Sequence, residues 1–396
     1  MEVYIAGKGI ISAIGLNVEE TLNSLRAGIS GISKQSMLPE RPNDLPTGEV
    51  KLTNAELAAL AGLNPDYPRT TLLSMIAAKQ AVADSGLDLK KYRTGFISAT
   101  TVGGMDKTEN FMRTFIKDGD IKNIDQILYH DSGTVTELVA EQLGIKDFIS
   151  TISTACSSSA NTIMYGSRLI KSGVLDVAIA GGTDAMSLFT LSGFNALMIL
   201  DENFCTPYDD NRKGLNLGEG AGYIVLVSER VAATLVKKPT VKLSGYANAN
   251  DAFHQTASSP EGKGNFLAME GALKMSGLQT TDIDYINLHG TGTANNDLSE
   301  GMAIQRIFGE PVPKASSTKA FTGHTLGACG GIEAIFSILA IEEKMIFANL
   351  RLKTPMKELS FAPVTELMEG VQVNNVLSNS FGFGGNCSSL IFSKVN

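Results

Sequence analysis

Near-continuous apolar runs recur along the chain: VYIAG at 3–7, FISTI at 148–152, VLDVAIAGG at 174–182 and GYIVLVSE at 222–229. Short runs of this kind, bounded by Gly, Asp or Ser, predict buried strands. Between them the period changes. NVEETLNSLRAG predicts a helix capped by Asn17, with acidic residues in its first turn. TTLLSMIAAKQAVADSG predicts an amphipathic helix that stops at a glycine. RTGFISATT predicts a strand, and the run after Cys156 predicts a helix to about Ser172. Residues 105–144 predict helices with loops that cap the body, and residues 40–68, rich in Pro, Asp and Asn, predict a surface excursion.

The alternation restarts at VKLSGYANA. A helix around 263–276, a strand in IDYINLHG, helices in NDLSEGMAIQRIFG and GACGGIEAIFSILAIEEK, and strands in VLSNS and CSSLIFS follow. Strand alternating with helix implies an α/β protein with parallel sheets covered by helices on both sides. The order divides the chain into two halves, 1–238 and 239–396, and no low-complexity linker separates them, so they are expected to pack as one body.

Composition narrows the class. A hydrophobic fraction of 43% and a charged fraction of 19% suit a globular enzyme. A net charge of −8 and the lack of tryptophan argue against nucleic acid or an anionic membrane as the main partner. Cys156, Cys205, Cys329 and Cys387 have no paired short spacing, so they form neither a zinc pattern nor a disulfide framework and suit a reducing compartment. MEVYIAGKGI has no signal-peptide pattern and no apolar run approaches membrane-spanning length, which predicts a cytoplasmic protein.

Candidate chemistry sits in small-residue turns. In STACSSSAN, Cys156 lies between a strand and a helix. Either it is a small buried thiol, or it is a nucleophile at a helix N-terminus, where free N–H groups favour negative charge. His289 in NLHGTGTANND follows a strand, and His324 in SSTKAFTGHTLGACGG precedes a helix, five residues after Lys319. Cys156 and His289 both fall at strand ends, where open α/β sheets gather ligands. His130 and His254 read as structural, His254 alternatively as lining an entrance. NSFGFGGNCSS is either a hairpin or bulge, or a loop that closes against a ligand. GGTDA, GEGAG and GTGTA fit neither a P-loop nor a dinucleotide fingerprint.

STACSSS, NLHGTGTANND, SSTKAFTGHTLGACGGIE and NSFGFGG, in this order, resemble the β-ketoacyl-acyl-carrier-protein synthases, more narrowly the elongating condensing enzymes with one Cys and two His. AGGTDA and PYDDNRKGLNLGEGAG match further blocks, and the resemblance covers nearly the whole chain. It implies the thiolase fold, with two similar βα halves stacked as a five-layer αβαβα core. It implies decarboxylative Claisen condensation of malonyl-carrier protein with an acyl chain held as a thioester on Cys156, in fatty-acid or specialised polyene or polyketide synthesis. By the same resemblance His289 and His324 grip the malonyl thioester carbonyl, Lys319 supports them, and Glu300 is the ion partner of Lys319. The resemblance also implies that the N–H groups of Cys156 and Phe381 form the oxyanion hole, that Phe381 gates the acyl pocket with Phe383 nearby, and that Thr291 and Thr293 bond the pantetheine arm.

The implied partners are acyl-carrier protein and a second chain, identical or related, in a dimer. The chemistry requires no metal or redox cofactor; Asn287, Glu333, Ser378 and Asn379 match residues that hold an alkali cation in some relatives.

Some positions depart from the family pattern. Thr206-Pro207-Tyr208-Asp209 stands where Arg-Pro-Phe-Asp is common, leaving Arg212 and Lys213 as nearby cations. NCSS replaces TNGS, which puts a thiol, Cys387, near the site as packing or as a second reactive group. The segment 105–130 is unlike housekeeping synthases. Together these point to a specialised pathway. Two rival readings are a chain-length-factor-like partner that lost catalysis, which would lack the active cysteine, and a thiolase, which would need a second catalytic cysteine and coenzyme A thioesters.

Overall fold

The computed structural model describes residues 1–34 and 45–395. Ten strands form the main sheet: β1 (Val3–Ser12), β2 (Thr94–Ala99), β3 (Phe148–Ile152), β4 (Val177–Asp184), β5 (Gly220–Ser228), β6 (Val241–Asn250), β7 (Tyr285–Asn287), β8 (Lys314–Ser316), β9 (Asn375–Gly382) and β10 (Asn386–Lys394). Their order is β3-β2-β4-β5-β1 followed by β6-β10-β9-β7-β8. Adding five to each label of the first set gives the second read inward toward the join, so the two halves share one topology. A single pairing, Tyr4 with Lys242, links them.

The expectation of parallel sheets holds only for part of each half. β2 is parallel to β3 and β4, and β7 is parallel to β8 and β9. The pairs β4–β5, β5–β1, β9–β10 and β10–β6 are antiparallel. The reason is plain at β9–β10: Phe383–Gly385 is too short for a crossover helix, so the chain turns back on itself. The hairpin reading of NSFGFGG was therefore sound.

Among the described residues twelve α-helices surround this frame. In the first half they are α1 (Val18–Ala27), α2 (Asn54–Ala61), α3 (Arg69–Ser85), α4 (Met105–Asp118), α5 (Ser132–Leu143), α6 (Ser158–Lys171), α7 (Leu188–Ala196) and α8 (Glu229–Thr234). The second half adds α9 (Lys263–Ser276), α10 (Ala294–Phe308), α11 (Lys319–Thr322) and α12 (Cys329–Glu343). Asn17 caps α1 by accepting from the Glu20 N–H, as its sequence predicts. α3 and α5 cover one outer face, α9 covers the other with α10 packed on it, and α6 and α12 lie between the two sheet halves. That is a five-layer stack. α12 is buried from Cys329 to Ile341, which fits a helix apolar on all sides. Gly330 and Gly331 permit its close approach: a Cβ at Gly330 would lie 2.7 Å from the Ala160 nitrogen, and one at Gly331 2.4 Å from the Gly222 oxygen.

Two further expectations are corrected in part. Of the predicted excursion over 40–68, residues 40–44 lie outside the described residues and Leu45 to Val50 are buried, whereas most of 51–67 lies at the surface as expected. The buried ion pair Arg69–Glu219 holds this segment, accepting from Val50 N–H through Glu219 and donating to Val50 O through Arg69. Of the predicted cap, α5 is instead part of the outer layer on β2 and β3. α4 does stand outside the core, burying only Phe111. Among the described residues no helix is long and apolar enough to cross a membrane.

Candidate active site

Cys156 sits in the turn between β3 and α6. The turn closes on its own hydroxyls: Ser158 Oγ accepts from Thr154 N–H at 2.7 Å, and the Ser157 and Ser158 hydroxyls donate to the carbonyls of Thr154 and Ala155. Ala155 takes φ +52°, a left-handed conformation that side chains resist. The strained turn places Cys156 at the N-terminal end of α6, where the helix dipole favours negative charge. At Gly382 a Cβ would come 2.9 Å from the Cys156 nitrogen, so glycine lets the end of β9 reach the nucleophile turn.

His289 follows β7. Its N–H and that of Gly290 donate to the two carboxyl oxygens of Glu300, each at 2.9 Å. His324 follows α11, and its Nδ1 accepts from Leu326 N–H at 3.1 Å. The two rings stand edge to face with centroids 5.5 Å apart. A nitrogen of each ring and the Cys156 sulfur all lie within 4.8 Å of one another. The structure thus brings together three groups from distant stretches of the chain.

Lys319 Nζ lies 3.2 Å from His289 Nδ1 and 2.5 Å from Glu333 Oε1. An ammonium only donates, so it meets His289 at a lone pair. Both Nδ1 atoms therefore face donors, which leaves Nε2 of each neutral ring to carry the proton. A ring with a protonated Nε2 is a hydrogen-bond donor there rather than a metal ligand. Burial pushes the His289 pKa well below the usual value, and the Lys319 charge adds to this. Burial is the largest influence on Lys319 and opposes its charge, but the groups around it, Glu333 foremost, together hold the lysine above its usual value.

The expected Lys319–Glu300 pair is corrected: the partner is Glu333. Glu300 points both oxygens at the His289 turn and also accepts from Asn379 at 3.0 Å. A signal for Glu333 existed in the sequence, since it is the lone charge within the apolar stretch GGIEAIFSILAI and a buried carboxylate needs a partner.

Two cavities meet at Cys156. The outer one, about 280 Å³, is lined by both histidines, Thr291, Thr293, Lys213 and Phe381 among others. The Thr291 and Thr293 hydroxyls are 2.9 Å apart. The inner chamber, about 430 Å³, is mainly apolar, with Val102, Met105, Phe189, Leu197 and Leu326 in its wall. Cys156, Phe194 and Phe383 border both. Phe194 and Phe383 stack with centroids 5.8 Å apart. Phe194 was not singled out by its sequence, because nothing local marks a helix residue as a partition. Phe381 is buried on β9 against His289, with ring centroids 6.1 Å apart, and borders the outer cavity alone.

Other candidates separate cleanly. Cys387 is buried, donates to Asn265 Oδ1 at 3.1 Å and borders neither cavity, so the packing reading stands. Cys329, to which the sequence assigned no site role, has its Sγ 3.6 Å from His324 Nδ1. Arg212 turns inward to the carbonyls of Asp209, Thr293 and Ala294, leaving Lys213 at the cavity. His130 meets Thr108, and His254 accepts from Thr256 beside the outer cavity. Of the implied cation ligands, Asn287 Oδ1 and Glu333 Oε2 are buried oxygens without a hydrogen-bond partner among the described residues, a donor chemistry that fits a hard cation. Asn379 Oδ1 already accepts from Ser389.

Comparison with known proteins gives the family of the chain. Family models match residues 1–232 (beta-ketoacyl synthase, N-terminal domain) and 241–353 (beta-ketoacyl synthase, C-terminal domain). A 3-oxoacyl-[acyl-carrier-protein] synthase 2 of Staphylococcus aureus (strain MRSA252) is 33% identical over 409 residues, covering 100% of this chain and 98% of the relative. Among solved structures, the ishigamide ketosynthase/chain length factor superposes with a TM-score of 0.93 at 29% identity, covering 100% of this chain and 99% of that one. A ketosynthase (ApeO) in complex with its chain length factor (ApeC) from Xenorhabdus doucetiae gives 0.84 at 30% identity, with 100% and 98% covered. The five-layer stack is the thiolase fold, and the chain belongs to the β-ketoacyl synthase family.

Proposed function

We propose that this protein is a β-ketoacyl-acyl-carrier-protein synthase that extends an acyl chain held on Cys156 with a malonyl unit. The observation that carries this reading is the meeting of one sulfur and two imidazoles within 4.8 Å, where an entry of mixed polar and apolar lining joins an apolar chamber. The Cys156 sulfur attacks the thioester carbonyl of acyl-carrier protein. A carbon–sulfur bond forms, the pantetheine sulfur leaves with the cysteine proton, and the acyl chain occupies the chamber. Malonyl-carrier protein then enters, its pantetheine arm bonded by Thr291 and Thr293. Its carbon–carboxylate bond breaks, CO2 departs, and the electron pair becomes an enolate. The Nε2–H groups of His289 and His324 stabilise the enolate oxygen, and preorganised donors of this kind supply a large part of the lowering of such barriers. The enolate carbon attacks the acyl thioester, and Cys156 leaves as thiolate.

We assign Phe383 rather than Phe381 as the gate, because it borders both cavities. Asn287 and Glu333 would hold a structural monovalent cation, which would supply a fixed charge behind the site. A carrier protein would dock at the mouth beside Lys213. An identical or related chain would cover the exposed apolar side chains of the α4 region, including Ile116 and Leu128. The shared strand order supports two halves meeting near 238, and four free cysteines suit the cytoplasm. Neither rival fits as well: a non-catalytic partner has no need of the assembled trio, and Cys387 is sequestered from any thiolase chemistry.

The test is reconstitution with acyl- and malonyl-carrier protein, reading β-ketoacyl product and intact-protein mass. The wild-type protein gains one acyl mass and Cys156→Ala gains none. Persistent acylation of the variant would move the nucleophile elsewhere.

A further inference from the structure

We propose that Asp184 is a positioning residue for His324: one buried carboxylate holds both the wall of the acyl chamber and the turn that fixes the tautomer of the histidine. The inference rests on the condensing reading above.

Asp184 ends β4 and is fully buried. Donors from two separate segments converge on it. From the segment after β2 come the Thr100 hydroxyl (2.6 Å), Thr101 N–H (2.9 Å), the Thr101 hydroxyl (2.6 Å) and Val102 N–H (3.2 Å). From the segment after His324 comes Gly327 N–H at 2.7 Å. Dipoles alone balance the charge, with no lysine, arginine or histidine paired to it among the described residues.

Both segments matter for chemistry. Thr101, Val102 and Leu326 border the inner chamber. Leu326 takes φ +54°, which a leucine adopts only when its surroundings enforce it, and its N–H is the donor to His324 Nδ1. The Gly327 bond to Asp184 is the neighbouring restraint that holds this strained residue in place. Fixing Nδ1 as acceptor places the proton on Nε2, the donor that decarboxylation needs. The carboxylate thus links the surface that an acyl chain would press to the ring that the malonyl carbonyl would meet.

Two substitutions test this from opposite sides. Asp184→Asn keeps one acceptor oxygen but turns an amide toward donors, so Gly327 N–H loses its partner. Gly327→Ala leaves Asp184 in place and wedges a Cβ 2.8 Å from its Oδ2. The four histidines make ¹⁵N-histidine NMR of the intact protein tractable, and ring nitrogen shifts report the tautomer. Wild type is expected to show His324 with the proton on Nε2. Both variants are expected to lose that single tautomer and to decarboxylate malonyl-carrier protein about tenfold more slowly. Acetylation of Cys156, which uses a two-carbon acyl group, is expected to stay within about threefold. A folded variant that keeps the Nε2 tautomer and the wild-type decarboxylation rate overturns the proposal; if Asp184→Asn does not fold, Gly327→Ala decides. Wild-type protein that neither acylates nor decarboxylates would remove the condensing reading, while the tautomer still decides the role of Asp184.

Discussion

Lys319 Nζ bridges His289 Nδ1 at 3.2 Å and Glu333 Oε1 at 2.5 Å, so one buried ammonium fixes a ring and balances a carboxylate. Lys319→Met removes the donor to Nδ1 and leaves Glu333 without its charge partner. Breaking a buried pair this way costs about 3–5 kcal/mol. The expected outcome is a lower melting temperature, regained in part by Lys319→Met/Glu333→Gln. Decarboxylation should stay impaired in the double variant, because His289 still lacks its donor. Full recovery of both properties in that variant would reduce Lys319 to a purely structural group.

His289→Ala separates the two half-reactions. Transfer to Cys156 is expected to persist, since the nucleophile turn and α6 are untouched. CO2 release from malonyl-carrier protein should fall by about 10²–10³ with one oxyanion donor gone. The check is CO2 release against acyl-enzyme mass in the same preparation, and unimpaired release would remove His289 from the enolate site.

Phe383 and Phe194 stack between the outer cavity and the inner chamber. Phe383→Ala is expected to widen the range of acyl lengths that label Cys156. Phe381→Ala, altering a buried strand residue beside His289, should lower stability by about 3–5 kcal/mol without that widening. A panel of acyl-carrier-protein thioesters and a denaturant melt separate these outcomes. The reverse pattern would return the gate to Phe381.

Burial raises the Glu300 pKa from 4.5 to about 7, against the backbone donors of Gly290 and His289. A carboxyl whose folded value is raised holds its proton in the folded state where the unfolded chain has lost it. Its contribution to stability is complete below about pH 4.5 and falls away as the pH rises to about 7. Glu300→Gln should therefore show a shallower decline in melting temperature across that window than the wild-type protein. Parallel pH profiles would mean that Glu300 does not titrate there.

Much of the frame was legible along the chain. The helix over 263–276, the Asn17 cap and the strand–turn–helix around Cys156 follow from local period and capping chemistry. The glycines of FGFGG allowed the β9–β10 hairpin as one of two readings, although strand–helix alternation suggested a parallel sheet. The burial of Leu45–Val50 was not legible, because a polar, Pro-rich composition resembles a surface segment until Arg69 and Glu219 are seen beneath it. Phe194 and Asp184 were missed for a related reason: each acts through partners far away in sequence.

The sequence by itself determined most of the main strands and the long helices, because short-range periodicity is written in neighbouring residues, and its ordered motifs pointed to Cys156, His289 and His324 through their resemblance to a known family. Only the tertiary structure decided that Glu333 rather than Glu300 meets Lys319, that Phe383 stands between the cavities, and that Asp184 joins the chamber wall to the His324 turn. Those contacts depend on which faces of α10, α12 and β9 turn toward one another when two five-stranded halves stack. Buried charge then selects the partner that can neutralise it, a choice made across the layers and not along the chain.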